Sequence, residues 1–443
     1  MRITGFKGKD VNGYLDFDLQ FYPDLTFVTG INGTGKTSAL NSIIALLLPR
    51  LDYLAGDFFE EISIEIDHSE QEIELSASKT GGGTDIICSL YPDNPLSLFE
   101  FEMPEDVPRH RSREMEAEYY KEFLAKNSKH PVVEFIEGLP TPMYLGLDRR
   151  SISTDVEMRR YARAPFHMQK RKNVFARSLG ESLDEALFFA QEQYQNYMRQ
   201  EARLDAKFRE NLVLALIDFP PISFGGKLEN PTTKELGDIE DARKNLQRLP
   251  ELLNVSKEFI SQNVDPMFEF LDKRLAIIKK SSSKSQKSGD ILDERLEALI
   301  DWSYNKTQID KINTLSSIVS GYNTSSEAVF RRPTEFLGTV NSFLADSGKT
   351  VRFDAFGRLK FFIHSPDEDR DIRTLSSGEI QLIVILTHLY FNPEVEKANV
   401  FIIDEPELSL HVQWQEKFVE GIIAASSETQ FILATHSPSI ILN

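Results

Sequence analysis

The stretch Gly30-Ile31-Asn32-Gly33-Thr34-Gly35-Lys36-Thr37 constrains this chain more than any other, because of what flanks it. Leu25-Thr26-Phe27-Val28 before it reads as a buried strand, and Ala39 to Leu48 after it reads as an apolar helix. Gly30, Gly33 and Gly35 let the backbone curl so that successive N–H groups point inward, where the helix start adds its positive dipole end. An ordinary glycine turn needs neither flank. With both present the spacing is that of a phosphate-binding P-loop, and Asn32, Gly33, Thr34, Gly35, Lys36, Thr37 and Ser38 become the expected nucleotide-binding residues. In that reading Lys36 reaches the β- and γ-phosphates of ATP, and the Thr37 hydroxyl holds Mg²⁺.

At 443 residues the chain is long enough for roughly two or three domains with a large core. Its one cysteine, Cys88, lies in the apolar run Ile86-Ile87-Cys88-Ser89-Leu90 and reads as core, so neither a disulfide framework nor a cysteine metal site can be built. The first residues, Arg2-Ile3-Thr4-Gly5-Phe6, enter a strand pattern at once, and no apolar run reaches the length of a bilayer span or a signal segment. A cytoplasmic protein without membrane contact is expected. The net charge of −19 argues against indiscriminate coating of nucleic acid, which needs a positive surface. A local exception is Arg159 to Arg177, where cations are interleaved with Tyr161, Phe166 and Phe175. That combination suits a groove tracking a DNA backbone or an acidic partner, and equally a solvated loop.

Patterning divides the chain in three. Residues 1–180 read as the first part of a nucleotide-binding head, the P-loop unit beside a β lobe. In that lobe Leu15-Asp16-Phe17-Asp18-Leu19, Ser63-Ile64-Glu65-Ile66-Asp67 and Glu72-Ile73-Glu74-Leu75 alternate with the period of half-buried strands. Pro142 to Leu147 is a short apolar strand ending in Asp148-Arg149-Arg150, placed for a metal-organising or phosphate-sensing residue or for a surface salt bridge. Residues 181–348 change to helical periodicity. Leu183, Ala186, Leu187 and Ala190 share one face, as do Val213, Leu216 and Ile217. Pro220-Pro221, Gly225-Gly226 and the low-complexity run Ser281 to Gly289 interrupt it, and no heptad persists, so a compact helical insert is expected. Residues 349–443 return to the head.

In that last part Val351 to Asp354 and Leu359 to Ile363 flank a glycine turn and read as a hairpin. Ser376-Ser377-Gly378-Glu379 then opens an apolar helix. Ser376 with Glu379 fits a capping box, and the exposed N–H groups of the same helix start can bind an anion. Phe401-Ile402-Ile403-Asp404-Glu405-Pro406-Glu407 reads as a buried strand ending in carboxylates. Asp404 is the expected Mg²⁺ ligand beside Thr37, and Glu405 the catalytic residue that polarises the attacking water. Adjacent strand residues face opposite ways, which divides the two roles. Gln430 to Thr435 is a further buried strand, and His436 at its end falls where a γ-phosphate lies, as a second catalytic residue.

Taken together, Gly30 to Thr37, Leu375-Ser376-Ser377-Gly378-Glu379, Phe401 to Glu407 and Ala434-Thr435-His436-Ser437-Pro438 resemble the ABC-type ATPase heads of the overcoming-lysogenization-defect (OLD) family and related SMC-like bacterial defence ATPases. The resemblance implies an α/β fold with a Rossmann-like sheet and a β lobe, ATP and Mg²⁺ as cofactors, and two heads that sandwich the nucleotide. In such a homodimer or larger homo-oligomer, Ser376, Ser377, Gly378 and Glu379 of one subunit complete the phosphate site of the other. Tyr144 to Arg150 and the helical insert look most like the ATPase subunit of Septu-type and retron-linked anti-phage systems, which are similar in acting with a separate HNH nuclease. Ser377 in place of a second glycine, Glu379 in place of glutamine and the lack of a glutamine loop imply slow, switch-like turnover. The chain stops at Asn443, so a fused nuclease after His436 is not expected. Two alternatives stay open: an ATP-driven DNA-binding or repair clamp using Arg159 to Arg177, and a scaffold that binds nucleotide without hydrolysis.

Overall fold

The computed structural model describes residues 1–48, 50–101, 109–146, 179–217, 228–256, 258–282, 289–363 and 368–442. The N-terminal strands are β1 (Arg2–Val11), β2 (Leu15–Gln20), β3 (Leu25–Thr29), β4 (Glu61–His68), β5 (Gln71–Thr80), β6 (Gly83–Cys88) and β7 (Leu96–Leu98). All except β3 form one antiparallel sheet in the order β2-β1-β4-β5-β6-β7. Period-two patterning builds it: along β2 half-buried Leu15, Phe17 and Leu19 alternate with exposed Asp16, Asp18 and Gln20. Its buried face carries Phe6, Ile64, Leu75 and Ile86, with Cys88 buried beside them.

The later strands are β8 (Met143–Leu145), β9 (Lys349–Phe353), β10 (Leu359–Ile363), β11 (Arg370–Asp371), β12 (Val400–Asp404) and β13 (Gln430–Thr435). β9 to β11 make a small antiparallel sheet that contains the expected hairpin, while β3-β13-β12-β8 is parallel throughout. Every residue of β12 and β13 is buried, which is why both sequences are near-continuous apolar runs rather than alternating ones. β13 lies between the P-loop strand and the acidic strand. The carboxyl ends of β3, β13 and β12 therefore deliver the P-loop, His436 and Asp404-Glu405 to one edge of the sheet.

A buried amide joins the two larger sheets. Gln430 Nε2 donates to the carbonyls of Ile3 at 2.7 Å and Tyr22 at 2.8 Å, and its Oε1 accepts from the Ile3 N–H at 2.8 Å. With three partners the side chain meets the demand that a buried polar group be satisfied.

Two helices, Leu179–Ile217 and Lys306–Leu344, are each 39 residues long. The chain forms two compact units, Met1–Tyr194 with Pro333–Asn443, and Gln195–Arg332, so both divisions fall inside these helices. In the first unit Leu183, Ala186 and Ala190 are buried, with Leu187 half-buried. The second unit has its own core, which includes Phe208, Leu212, Ile239, Phe268, Leu271 and Trp302. The face expected from Val213, Leu216 and Ile217 is corrected here: they are 56%, 60% and 62% exposed. The helix instead turns Phe208 and Leu212, one turn apart, to that core. Pro220, Pro221, Gly225, Gly226 and the run 283–288 lie outside the described residues. Among the described residues no helix is long and apolar enough to cross a membrane.

Candidate nucleotide-binding site

β3 runs directly into the loop, and helix Lys36–Leu47 begins at Gly35, whose φ of 87° is glycine territory. Space is as restrictive as conformation there, since a Cβ on Gly35 would lie 2.6 Å from Leu15 Cδ1. The loop is braced internally by Thr34, whose hydroxyl donates to the Ile31 carbonyl at 2.9 Å. Lys36 is buried, and its Nζ donates to the carbonyls of Gly30 at 2.8 Å and Ile31 at 3.3 Å. Asn32 and Gly33 are exposed at the loop tip. Ser38 Oγ accepts from Asn12 Nδ2 at 3.0 Å, which ties the turn between β1 and β2 to the helix start.

The Thr37 hydroxyl donates to Asp404 Oδ2 at 2.7 Å. Asp404 is only 3% exposed, and its other oxygen, Oδ1, is buried without a hydrogen-bond partner among the described residues. Burial pushes this carboxyl up to about 6; Glu405 and Glu407 act in the same direction, while Thr37 and Lys36 oppose. An unpartnered carboxylate oxygen beside a hydroxyl is an oxygen-only donor set. It fits Mg²⁺, which takes one or two protein oxygens and completes its shell with water and substrate phosphates.

Glu405 follows in the left-handed region, φ 49° and ψ 59°, with its N–H donating to the Ala434 carbonyl at 2.8 Å. The expectation of strand alternation is thereby corrected: a backbone turn, not the pleat, separates Asp404 from Glu405. A non-glycine residue held there stores about 1–3 kcal/mol. His436, at the end of β13, places Nδ1 3.0 Å from Glu407 Oε1 and 3.9 Å from Glu405 Oε1. Glu407, which no local motif marks, is brought by the fold beside His436. What the sequence does show is a second glutamate two positions beyond Glu405 in a buried segment, where it needs a partner.

Ser376 caps helix Ser377–Phe391 in a reciprocal capping box with Glu379. The Glu379 carboxylate accepts from the Ser376 N–H at 2.9 Å and hydroxyl at 2.8 Å, and from Lys349 Nζ at 2.7 and 2.9 Å. Ser376 and Ser377 are exposed, whereas Gly378 and Glu379 are buried. Burial raises the Glu379 carboxyl, but Lys349 and Ser376 more than offset it and leave the group below its ordinary value of 4.5. A depressed carboxyl stabilises the fold above the unfolded value and loses that contribution as pH falls through the folded one, so it is lost below about pH 4.5. Lys349→Met should cost about 2–4 kcal/mol by stranding the buried Glu379 charge, whereas Lys349→Met with Glu379→Leu should recover most of it. Urea unfolding at neutral pH measures both.

Asp148, Arg149, Arg150 and the basic stretch Arg159 to Arg177 lie outside the described residues.

A glycine loop at a helix start, a parallel sheet opening beside it and an acidic strand on the loop's threonine define an α/β P-loop ATPase. The chain belongs to the family described as AAA ATPase domain, which matches residues 1–441. It is 27% identical over 163 residues to the retron Vc95 probable ATPase of Vibrio cholerae serotype O1 biovar El Tor. The aligned part is 34% of this chain and 32% of that relative, about a third of each. Among solved structures, the SMC head domain with an extended coiled coil bound to the C-terminal domain of ScpA, from Pyrococcus furiosus, is 14% identical with a TM-score of 0.39, covering 99% of this chain and 91% of that one. The SMC head domain from Thermotoga maritima is 10% identical with a TM-score of 0.37, covering 100% and 92%.

Proposed function

We propose that this chain is a Mg²⁺-dependent cytoplasmic ATPase in which the nucleotide state of a head-to-head homodimer controls a separate nuclease in anti-phage defence. The observation that supports hydrolysis most directly is the Thr37–Asp404 contact beside the unpartnered Asp404 Oδ1. Thr37 and Asp404 would hold Mg²⁺, and the bound ion would supply charge neutralisation to the phosphates. Lys36 exchanges two neutral carbonyl acceptors for phosphate oxygens, a charge-assisted and stronger pairing. Backbone N–H groups from Asn32 to Ser38 orient the triphosphate, Glu405 accepts the proton of the attacking water, and His436 donates to the γ-phosphate. The helix start at exposed Ser377 offers N–H donors to the partner subunit's phosphate site, the Ser376 N–H being held by Glu379. Buried Glu379 serves that contact indirectly, by holding the helix start through its cap and Lys349.

Residues 1–180 and 349–443 are read as the head and 181–348 as an insert, of which Gln195–Arg332 is the separate compact unit available to a partner. The relative named as a retron ATPase supports a retron-linked setting, and the motif resemblance supports the nuclease. Phosphate release from ATP should require Mg²⁺, and Lys36→Ala should abolish ATP binding. Hydrolysis persisting in Lys36→Ala removes the site assignment. Co-purification from the native operon tests the rest: a complex lacking any nuclease leaves the ATPase but removes its role in defence.

A further inference from the structure

We infer that Oε2 of Glu407 is an outer-shell acceptor for the metal assigned to Thr37 and Asp404, taking a hydrogen bond from a water of the Mg²⁺ shell; the inference rests on the Mg²⁺ reading of those two residues. The Glu407 carboxylate is used on one side only. Its Oε1 accepts from the Thr435 hydroxyl at 2.7 Å and from the His436 backbone N–H at 2.7 Å, and the His436 ring approaches the same oxygen, with Nδ1 at 3.0 Å. Oε2 is buried and has no hydrogen-bond partner among the described residues. With the side chain 5% exposed, bulk solvent does not supply one. A structural anchor needs no such oxygen, because a glutamine would offer Thr435 and His436 the same acceptor without burying a charge.

Strand pairing brings this carboxylate to the metal side of the sheet. β12 and β13 are parallel neighbours, with Asp404 in register with Ala434. Thr435 and His436, the two residues that hold Oε1, come directly after Ala434. Since paired strands lie about 4.8 Å apart, Glu407 and Asp404 share one edge. Their charges are felt across it, for Glu407 is among the groups that push the Asp404 carboxyl up. Asp404 Oδ1 is itself buried without a hydrogen-bond partner among the described residues. A neutral water could satisfy the hydrogen bonding of both oxygens but not their charge; a divalent cation with its waters relieves both.

The same chemistry puts Glu407 in the outer shell. Mg²⁺ gives up its waters reluctantly and is bound through one or two protein oxygens, which Thr37 and Asp404 supply. A carboxylate held rigidly behind them meets a water of the shell and orients it. Rigidity is present in the backbone as well, where buried Gln415 donates from Nε2 to the Glu407 carbonyl at 3.3 Å and the Leu410 carbonyl at 2.9 Å.

Glu407→Gln separates the two oxygens. The donors of Thr435 and His436 demand an acceptor at the Oε1 position, so the amide oxygen takes that place and an NH₂ group replaces Oε2. The probe is Mn²⁺ with the non-hydrolysable analogue AMP-PNP, free and bound ion being counted by electron paramagnetic resonance, which requires no turnover. Mn²⁺ affinity should fall about ten- to a hundredfold in Glu407→Gln, while the urea midpoint of the nucleotide-free protein is not lowered. The number of waters on the bound ion, read from line broadening in H₂¹⁷O, should match the wild type. Unchanged Mn²⁺ affinity overturns the inference, and so does one additional water on the ion, which would make Glu407 a direct ligand. Asp404→Asn is the control for the reading beneath it. If Asp404→Asn weakens Mn²⁺ binding and Glu407→Gln does not, the inference fails alone; if neither does, the metal assignment fails with it. Should Glu407→Gln not fold, Glu407→Asp carries the same titration with the same expected loss, because the shorter carboxylate cannot serve both Thr435 and the metal shell.

Discussion

Asp404→Asn should make the nucleotide-free protein more stable while ending hydrolysis. Burial raises this carboxyl from 3.8 to about 6, so the native state holds a charge at neutral pH that it would rather lose. Below pH 3.8 the group is protonated folded and unfolded, and burial carries no penalty. As pH rises to about 6 the unfolded chain ionises first, and the penalty grows to about 3 kcal/mol, at 1.36 kcal/mol per unit, and stays there. Asparagine removes the charge and still offers an oxygen to the Thr37 hydroxyl, although its buried N–H group offsets part of the gain. A net stabilisation of about 1–2 kcal/mol at pH 7 is expected, shrinking toward pH 4. ATP with Mg²⁺ should reverse the ranking, because only the wild type gains the free energy of binding. Urea titrations with and without nucleotide measure both halves. An Asp404→Asn protein less stable than wild type without nucleotide would show that the carboxylate is a structural acceptor, not a ligand kept under strain.

The parts of this site that were legible in the sequence are those whose signal is local. Glycine spacing between two apolar runs identified the P-loop, and unbroken apolar stretches ending in Asp404-Glu405 and in His436 identified the strands that feed it. Order within the sheet was not legible, because nothing in either run says that β13 separates β3 from β12. Gln430 and Glu407 were missed for a related reason. A buried polar side chain announces that it needs a partner without naming one, and Ile3 lies 427 residues from Gln430. Helical periodicity likewise gave the face containing Val213, but not which face finds a core; Phe208 and Leu212 occupy it. The Glu379 capping box was fully legible, being contained in four residues, whereas its ion pair with Lys349 was not.

Glu405→Gln should lower kcat by about 10²- to 10³-fold with little change in ATP affinity, and should collect the protein as an ATP-bound dimer. The substitution is isosteric, keeps the side chain in the pocket where it is 16% exposed, and removes one negative charge from the neighbourhood of a triphosphate. Binding is preserved while proton abstraction is lost. The backbone provides an independent control. Glu405 sits at φ 49°, so Glu405→Gly should relieve strain and raise unfolding stability by about 1 kcal/mol, while losing as much turnover as the glutamine variant. Stability and rate then move in opposite directions at one residue, the behaviour expected where a strained backbone is retained for chemistry. Single-turnover phosphate release and mass measurement in MgATP give the two readouts. Wild-type hydrolysis by Glu405→Gln would remove Glu405 as the base, and would leave the left-handed backbone beside Asp404 without a chemical reason to persist.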